Sequence, residues 1–333
     1  MNKRIQETKV LFTRRVPHIG IDLLRNVGFI VTVWPHDRPM SATELIEEAK
    51  KHDALICLSS DKISAEFLNE CRHLLIVSQF AAGYDNINIA EATRLGIPVG
   101  NAPNAMSDAT ADIAFGLMIN VSRKMFYMHK TIPNGEWSFF RPLAHLGFEL
   151  KNKTLGIFGL GNIGIEMAKR SRGAYNMEII YCNRKPNATA EKLLGARFVS
   201  FDELLKQSDV LSVHSVLSNE TKGIFNKAAF SKMKSSAIFI NTARGGIHNE
   251  QDLTEALENG TIWGAGLDVT HPEPMKPDNP LLLMENVAVL PHIGSATVEA
   301  RNEMSRLAAV NIIEYFKNNS VPNILNPEVL TKK

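Results

Sequence analysis

Three segments in the C-terminal half of the sequence carry side chains that could bind and protonate a small carboxylic acid. Arg244 lies beside two glycines, Glu273 lies between two prolines, and His292 lies between a proline and an Ile-Gly pair. An arginine can hold a carboxylate with two parallel hydrogen bonds, and a histidine paired with a glutamate can act as a general acid. Each segment follows an apolar run that is typical of a strand. Spacing alone does not favour His292 over His214 or His271.

A glycine-rich turn near the middle of the chain points to a dinucleotide. A strand-like run at 155–158 precedes three glycines at G-x-G-x-x-G spacing, and a helical pattern follows them. The first glycine permits a tight turn, the second lets the backbone approach a pyrophosphate, and the third lets the helix pack on the strand. The helix start then offers N–H groups to the phosphates. The turn residues expected to contact the nucleotide are Gly159, Gly161, Asn162, Ile163 and Gly164.

The strand after this turn indicates which nucleotide binds. It spans 177–182 and ends in Asn183, Arg184 and Lys185. An NAD site of this design places Asp or Glu about twenty residues after the glycines, where the carboxylate binds the ribose 2′-hydroxyl. No carboxylate stands there, and the two cations suit a 2′-phosphate. We therefore expect these three residues to bind NADP(H) in preference to NAD(H), with NAD as a second cofactor; the alternative is a solvated basic loop.

The elements that must position these residues alternate between strand and helix patterns. In the first hundred residues, strand-like runs at 10–12, 29–33, 54–57 and 74–77 alternate with helical patterns, and a second set of strands begins at 154. Such alternation predicts parallel sheets covered by helices. Two loops, 58–61 and 80–86, follow strand ends, where ligands bind in open α/β sheets. Their Gly, Asn and Asp residues are also ordinary turn formers, so spacing alone favours plain turns.

The stretch 101–104 interrupts this alternation and indicates a crossing between two α/β domains. After it, the pattern predicts one long helix from 107 to about 130, followed by an irregular segment at 131–150 that carries three aromatic residues close together. Exposed aromatic residues in a long loop often mark an interface, and half-buried packing is the alternative. A closing helix is predicted from about 297 to 317.

Whole-chain composition narrows the function classes. The 333 residues predict about two domains, and a net charge of +2 gives no reason to expect nucleic acid or a membrane surface as a partner. The three scattered cysteines, without a C-x-x-C pair, fit a reducing compartment and argue against a disulfide framework or a metal site. There is neither a signal-peptide pattern nor an apolar run long enough for a membrane span, so we expect a cytoplasmic protein.

Taken together, these motifs resemble the D-2-hydroxyacid dehydrogenase family, and within it the glyoxylate/hydroxypyruvate reductases and 2-ketogluconate reductases. The resemblance runs nearly end to end and is carried by segments 83–87, 159–164, 241–246, 266–274, 291–297 and 322–327. It implies two Rossmann-like or flavodoxin-like parallel-sheet domains with the active site in the cleft between them. The substrate-binding domain would comprise 1–103 and 298–333, and the NAD(P)-binding Rossmann domain 104–297. Family members usually dimerise through the region that corresponds to about 107–150, so we expect a homodimer.

The resemblance also implies an activity and residue roles. The expected reaction is the NADPH-dependent reduction of a small 2-keto acid, such as glyoxylate, hydroxypyruvate or 2-ketogluconate, to the D-2-hydroxy acid. His292 would be the proton donor, Glu273 its orienting partner, and Arg244 the residue that grips the substrate carboxylate. Further substrate contacts would come from Ser59, Ala82 and Gly83. Further cofactor contacts would come from Val216, Thr242, Asp268 and Gly294.

Two alternatives remain open from the sequence, and a third is disfavoured by Glu273. A phosphoglycerate-dehydrogenase-like NAD enzyme would prefer an acidic residue near position 183, and many such enzymes carry a C-terminal regulatory domain. Formate dehydrogenases pair the histidine with glutamine, whereas Glu273 is present here. A non-catalytic nucleotide sensor, like the corepressors that share this fold, would not need the Arg–Glu–His set. The sequence departs from the family pattern at His248, where a small apolar residue is more common.

Overall fold

The computed structural model describes residues 2–331, with side chains from Ile5 onward, and divides into two compact units. Unit 1 comprises the chain up to Met106 together with the chain from Ala296, and unit 2 is Ser107–Ser295. Each unit contains one parallel sheet, which confirms the predicted α/β class. None of the described helices is long and apolar enough to cross a membrane.

Unit 1 is built on a five-stranded parallel sheet whose central strands are buried. Its strands are β1 (Lys9–Phe12), β2 (Ile30–Val33), β3 (Ala54–Cys57), β4 (Ile76–Gln79) and β5 (Val99–Gly100). Its helices in the first segment are α1 (Asn2–Glu7), α2 (His18–Val27), α3 (Ala42–Ala49), α4 (Ala65–Glu70) and α5 (Ile89–Leu95). The strand order β2-β1-β3-β4-β5 is the flavodoxin-like order, in which ligands bind at the carboxyl ends of the strands.

Local sequence signals explain where some of these helices begin. Ser41 accepts a hydrogen bond from the Glu44 N–H, and the Glu44 carboxylate accepts one from the Ser41 N–H at 2.8 Å, so the capping box expected from Ser-x-x-Glu starts α3. Asn88 caps α5 in a similar way through the Glu91 N–H. Side-chain caps of this kind satisfy N–H groups that the helix itself leaves unpaired.

Unit 2 contains a seven-stranded parallel sheet. Its strands are β6 (Thr154–Phe158), β7 (Glu178–Cys182), β8 (Arg197–Phe198), β9 (Val210–Val213), β10 (Ile238–Asn241), β11 (Gly264–Leu267) and β12 (Val287–Val289). Its helices are α6 (Ser107–Arg123), α7 (Met125–Thr131), α8 (Asn162–Tyr175), α9 (Ala188–Leu194), α10 (Phe201–Gln207), α11 (Lys227–Phe230) and α12 (Glu250–Glu258). The order β8-β7-β6-β9-β10-β11-β12 is a Rossmann order extended by one strand, with its switch point between β6 and β9.

The helix predicted from 107 to about 130 is wrong in one respect, because it breaks at Lys124. This residue adopts a left-handed backbone with φ +54° and separates α6 from α7. Its ammonium group pairs with the Glu285 carboxylate at 2.6 Å and lies 4.9 Å from the Trp263 ring centre. These partners lie far along the sequence, so the apolar periodicity of the segment gives no sign of the break.

The closing helix α13 (Val298–Asn318) belongs to unit 1. It packs on α2 and on β4, and Ala308 and Ile312 are fully buried in the core there. Gly20 on α2 allows this close packing, because a Cβ at that position would collide with the Ser305 carbonyl oxygen. Phe80, which directly follows β4, belongs to the same core as these residues of α13.

Candidate active site

The three side chains singled out for chemistry follow adjacent strands of the unit 2 sheet. Parallel pairing aligns the ends of these strands, with Asn241 of β10 opposite Leu267 of β11 and Leu267 opposite Val289 of β12. Arg244 follows β10, Glu273 follows β11 and His292 follows β12. Their loops therefore all leave the same carboxyl edge of the sheet, which is the edge where open α/β sheets bind ligands.

Glu273 and His292 are joined by one short hydrogen bond. The distance from His292 Nδ1 to Glu273 Oε1 is 2.6 Å, and both side chains remain partly exposed. Burial of Glu273 opposes its ionisation, but the hydrogen bond from His292 and the nearby positive charge outweigh it, so the pKa of Glu273 lies below its ordinary value. Arg244 contributes to that positive charge. With Nδ1 engaged, Nε2 is the histidine nitrogen that can exchange a proton with a substrate.

Asp268 fixes the turn that carries the histidine. His292 has a left-handed backbone with φ +53°, which is uncommon for a residue with a side chain. The buried Asp268 carboxylate accepts hydrogen bonds from the N–H groups of Ile293 and Gly294, at 2.8 and 2.7 Å, and Thr110 donates to the Gly294 carbonyl at 3.1 Å. Burial raises the pKa of Asp268, partly offset by the two N–H bonds. The sequence predicted Asp268 and Gly294 as cofactor contacts, and their part in positioning His292 was not foreseen.

A buried amide holds the loop of Arg244. Asn241 donates to the Arg244 carbonyl oxygen at 2.9 Å and lies 3.0 Å from His248 Nδ1. A Cβ at Gly245 would collide with the Thr270 carbonyl, so the glycine allows the loop to lie against the next strand end. Burial lowers the pKa of His248 to about 4, with a smaller contribution from His271.

The glycine turn has the shape that a dinucleotide requires. Gly159 has φ +100°, and a Cβ there would lie 2.6 Å from the Ser215 nitrogen; a Cβ on Gly164 would lie 2.7 Å from the Gly159 carbonyl oxygen. Gly161 faces open space, and α8 begins after it without a side-chain cap. The N–H groups of Ile163 and Gly164 lie in the first turn of α8, at the positive end of the helix. These residues fit a pyrophosphate.

The loop after β7 presents its two cations to solvent and uses its amides to hold the glycine turn. Arg184 and Lys185 are exposed. Asn183 Oδ1 accepts from the Leu160 N–H at 2.7 Å, and Asn187 Nδ2 donates to the Leu160 carbonyl at 3.2 Å. Asn183 therefore has a supporting contact within the protein, and its contact with a nucleotide stays a prediction. Asn187 was not predicted from the sequence.

Two further residues predicted to line the cofactor, Val216 and Thr242, follow the neighbouring strands β9 and β10. Thr242 Oγ1 is 3.4 Å from His214 Nδ1, and His214 Nε2 is 2.8 Å from Ser212 Oγ. Burial lowers the pKa of His214 to about 3, so this histidine is neutral at physiological pH. Val216 follows it and is exposed. The structure thus places His214 in a structural contact, apart from the His292–Glu273 pair.

The predicted substrate contacts of unit 1 lie in two loops at the carboxyl ends of neighbouring strands. Ser59 follows β3 and is exposed, whereas Ala82 and Gly83 follow β4 and are half-buried. The Ala82 carbonyl accepts a hydrogen bond from Asn101 Nδ2 at 2.8 Å. Asn101 lies in the stretch that the sequence indicated only as a domain crossing, so its contact with this loop was missed. Among residues 2–331, no cluster of His, Cys, Asp and Glu side chains could hold a metal ion.

The chain is similar to known proteins both in sequence and in fold. Residues 115–294 match the model of the family described as D-isomer specific 2-hydroxyacid dehydrogenase, NAD binding domain. The chain is 42% identical over 327 residues to a glyoxylate reductase of Thermococcus litoralis, which covers 97% of this chain and 98% of the relative. It is also similar to the crystal structure of a glyoxylate reductase from Paecilomyes thermophila, with 32% identity, a TM-score of 0.87 and coverage of 96% and 99% of the two chains.

A second solved structure bears on the cofactor. It is an NADPH-dependent glyoxylate/hydroxypyruvate reductase from Sinorhizobium meliloti in complex with NADP and malonate. The chain is 28% identical to it with a TM-score of 0.82, and the likeness covers 96% of each chain. The chain that carries the glycine turn and the His292–Glu273 pair is thus similar to reductases over nearly its full length.

Proposed function

The chain belongs to the D-isomer specific 2-hydroxyacid dehydrogenase family, whose members are NAD(P)-dependent oxidoreductases, and we propose that it reduces a small 2-keto acid with NADPH. Glyoxylate and hydroxypyruvate are the proposed substrates, with 2-ketogluconate as the bulkier candidate. The observation that carries the proposal is the 2.6 Å pair of His292 and Glu273 at the same sheet edge as Arg244 and the glycine turn. The likeness to glyoxylate reductases supports the substrate class.

His292 supplies the proton in the proposed reaction. When bound, the nicotinamide supplies the hydride that C2 of the keto acid receives. Negative charge then grows on the keto oxygen, and His292 Nε2 donates a proton to it while Glu273 stabilises the charged imidazole. Glu273 can do so because its lowered pKa keeps it ionised. A positioned general acid of this kind contributes about 10² to 10⁴ in rate.

Arg244 and the unit 1 loop bind the substrate carboxylate in this proposal. The guanidinium group offers a planar fork to the carboxylate and also polarises the keto oxygen. The backbone N–H groups of Ala82 and Gly83 bind the carboxylate from unit 1, and Ser59 lies in the neighbouring loop. Unit 1 would then be the substrate-binding domain and unit 2 the nucleotide-binding domain.

The proposed preference for NADPH depends on the loop after β7. Arg184 and Lys185 are exposed at the position where NAD enzymes place a carboxylate, and Asn183 anchors the loop to the glycine turn. Replacing Arg184 by Ser should raise the KM for NADPH about 10- to 100-fold, since a hydrogen bond to a charged group contributes roughly 1.5–3 kcal/mol. The KM for NADH should change little. Arg197→Ser, an exposed arginine on β8, is the matched control and should change neither value.

We also propose that the chain forms a homodimer through the segment that follows α7. This segment exposes large apolar side chains over a short stretch, with Trp137 70%, Phe140 84% and Leu143 86% exposed. Apolar exposure of this density is typical of an interaction surface. Sedimentation or light scattering of the wild type and of a Trp137→Ser, Phe140→Ser double variant tests the proposal. A monomeric wild type would refute it.

The decisive experiment is the steady-state oxidation of NADPH, with NADH in parallel, against glyoxylate, hydroxypyruvate, pyruvate and 2-ketogluconate. We expect turnover of glyoxylate or hydroxypyruvate with NADPH. Equal or better turnover with NADH at matched concentrations would overturn the cofactor preference and favour the phosphoglycerate-type alternative. Binding of NADPH without turnover of any of the four acids would overturn the proposed substrate class and favour a sensing role.

A further inference from the structure

A run of three carbonyl groups in the loop after β4 is anchored to the interior of unit 1. The Ala81 carbonyl accepts from the Ala102 N–H at 2.9 Å, and the Ala82 carbonyl accepts from Asn101 Nδ2 at 2.8 Å. The Gly83 carbonyl accepts from Gln79 Nε2 at 3.1 Å. Each successive peptide in this loop is therefore held through its oxygen.

Anchoring a carbonyl also orients the N–H group of the same peptide. Because the trans peptide is planar, its N–H points opposite to its C=O. The Ala81 carbonyl shares a peptide with the Ala82 N–H, and the Ala82 carbonyl shares one with the Gly83 N–H. Neither N–H group donates to an acceptor in the described part of the chain. Both are thus presented on the side away from the anchors.

Asn101 is itself fixed from both sides. Its N–H donates to the Asn323 carbonyl at 3.1 Å, and its carbonyl accepts from Asn311 Nδ2 at 2.8 Å. Asn101 is 7% exposed, and Asn311 on α13 is fully buried. A buried amide that is satisfied by several partners has little freedom to move, and losing one partner leaves a polar group unpaired.

Gln79 extends this support to the neighbouring loop. It is fully buried at the end of β4, and its Nε2 also donates to Asn86 Oδ1 at 2.9 Å. Asn86 Nδ2 in turn donates to the carbonyls of Leu58 and Asp61, at 3.0 and 2.8 Å. The Cys57 thiol lies 3.1 Å from Gln79 Oε1, which satisfies the remaining side of the amide. The two loops that the sequence marked as ligand loops are therefore joined through Gln79 and Asn86.

We propose that Asn101 and Gln79 are positioning residues that aim the Ala82 and Gly83 N–H groups at the substrate carboxylate. This inference rests on the proposed function, which places the carboxylate there. Asn101 acts directly on the peptide that carries the Gly83 N–H, whereas Gln79 acts one peptide further on and through Asn86. Neutral donors suit this task, because a negative support group would repel the anion that the loop binds.

The test compares Asn101→Ala and Gln79→Met with Asn326→Ala. Asn326 is a matched control in the same unit, since it is 1% exposed and bonds the Val99 N–H and the Ile97 carbonyl at 2.8 and 3.0 Å. We expect Asn101→Ala to raise the KM for the keto acid about tenfold or more, and Gln79→Met to raise it less. In both variants kcat should stay within about threefold, because the proton donor is untouched. The control should lose thermal stability without a change in KM.

A second readout does not depend on turnover. Calorimetric titration of the NADPH-loaded protein with oxalate, used as a carboxylate probe, should show weaker binding in Asn101→Ala and Gln79→Met than in the wild type and the control. Unchanged KM and oxalate affinity in a folded Asn101→Ala or Gln79→Met protein would overturn the inference while leaving the proposed function intact. A wild type that binds oxalate in an Asn101-dependent way but reduces no keto acid would overturn the proposed function alone. If one variant fails to fold, the other decides the outcome.

Discussion

The loop that carries Ala82 and Gly83 in unit 1 and the turn that carries His292 in unit 2 are supported by opposite kinds of group. In unit 1, the neutral amides of Asn101 and Gln79 donate to backbone carbonyls. In unit 2, the Asp268 carboxylate accepts from two backbone N–H groups. One support therefore leaves N–H groups for a ligand, and the other uses N–H groups to hold a side chain.

Under the proposed function, the difference follows from the charge that each region would handle. A loop that binds an anion through its N–H groups must be held by its carbonyls, and uncharged donors hold them without repelling the anion. In the proposed reaction the turn of His292 carries a group that is positive until it donates its proton, so a carboxylate behind it is compatible with that charge. The interaction with His292 favours the ionised form of Asp268, against the burial that raises the pKa of this carboxyl. The sign of the bound or developing charge thus determines which side chain can support each loop.

Replacing His292, the side chain held by the unit 2 turn, should give the largest effect on kcat. We expect His292→Gln to lower kcat for keto-acid reduction by about 10² to 10⁴, because the variant has no general acid at that place. The dissociation constant for NADPH, measured by fluorescence titration, should change by less than about threefold. Retention of most of the wild-type kcat would contradict the assignment of His292 as proton donor.

Changing the support behind the histidine should have a smaller effect on kcat. Asp268→Asn keeps the shape of the side chain but turns one amide N–H₂ toward a backbone N–H, so the turn must shift. We expect kcat to fall about 10- to 100-fold, since displacement of a catalytic group by about 1 Å can cost two orders of magnitude. Asp209→Asn is the matched control, because Asp209 accepts from the Thr154 N–H at 2.8 Å at the opposite edge of the sheet. Equal losses in both variants would indicate general destabilisation.

Much of the fold could be predicted from the sequence, because it depends on short-range patterns. Apolar runs and Gly-rich turns located most of the strands, and the Ser41 capping box started a helix where expected. The sequence did not predict the two-residue strand β8, which has too few residues for a pattern. Nor did it predict the break at Lys124, since the pairing with Glu285 lies 161 residues away along the chain.

The candidate site divides along the same line. Arg244, Glu273 and His292 could be proposed from residue type and from the family resemblance, and their roles still await the tests above. Asn101 carried no signal, because the Ala82 carbonyl becomes its neighbour only after strands β4 and β5 pair. Gln79 carried none either, because its contact with the Gly83 carbonyl depends on the path of the loop after β4. A position that binds through its backbone N–H needs no particular side chain, so the residue type at Ala82 does not indicate the proposed role.

Substitution of His248 should give the smallest effect of the variants considered. The loop of Arg244 is held by the neutral amide of Asn241, and Asn241 in turn contacts the titratable His248. Asn241 Nδ2 donates both to the Arg244 carbonyl and toward His248 Nδ1, so that nitrogen accepts and the proton of the neutral ring lies on Nε2. That Nε2 is buried and has no hydrogen-bond partner among the described residues. Protonation at Nδ1 would place two donors face to face inside the protein.

Burial lowers the pKa of His248 to about 4 from an ordinary value of 6.5, so the unfolded chain takes up a proton at a higher pH than the folded protein does. The contribution of neutral His248 to the free energy of unfolding is therefore fully present above about pH 6.5 and decreases as the pH falls toward 4. His248→Asn keeps an acceptor for Asn241 and removes this titration. We expect the loss of unfolding free energy between pH 7.5 and pH 5.5, measured by urea denaturation, to be about 1 kcal/mol smaller than in the wild type.

His248→Leu should show the same reduced pH dependence but a higher KM for the keto acid, because Asn241 loses its partner and the Arg244 loop loosens. An unchanged pH dependence in both variants would show that other groups cause the acid destabilisation, and an unchanged KM in His248→Leu would show that Asn241 holds the Arg244 loop without His248.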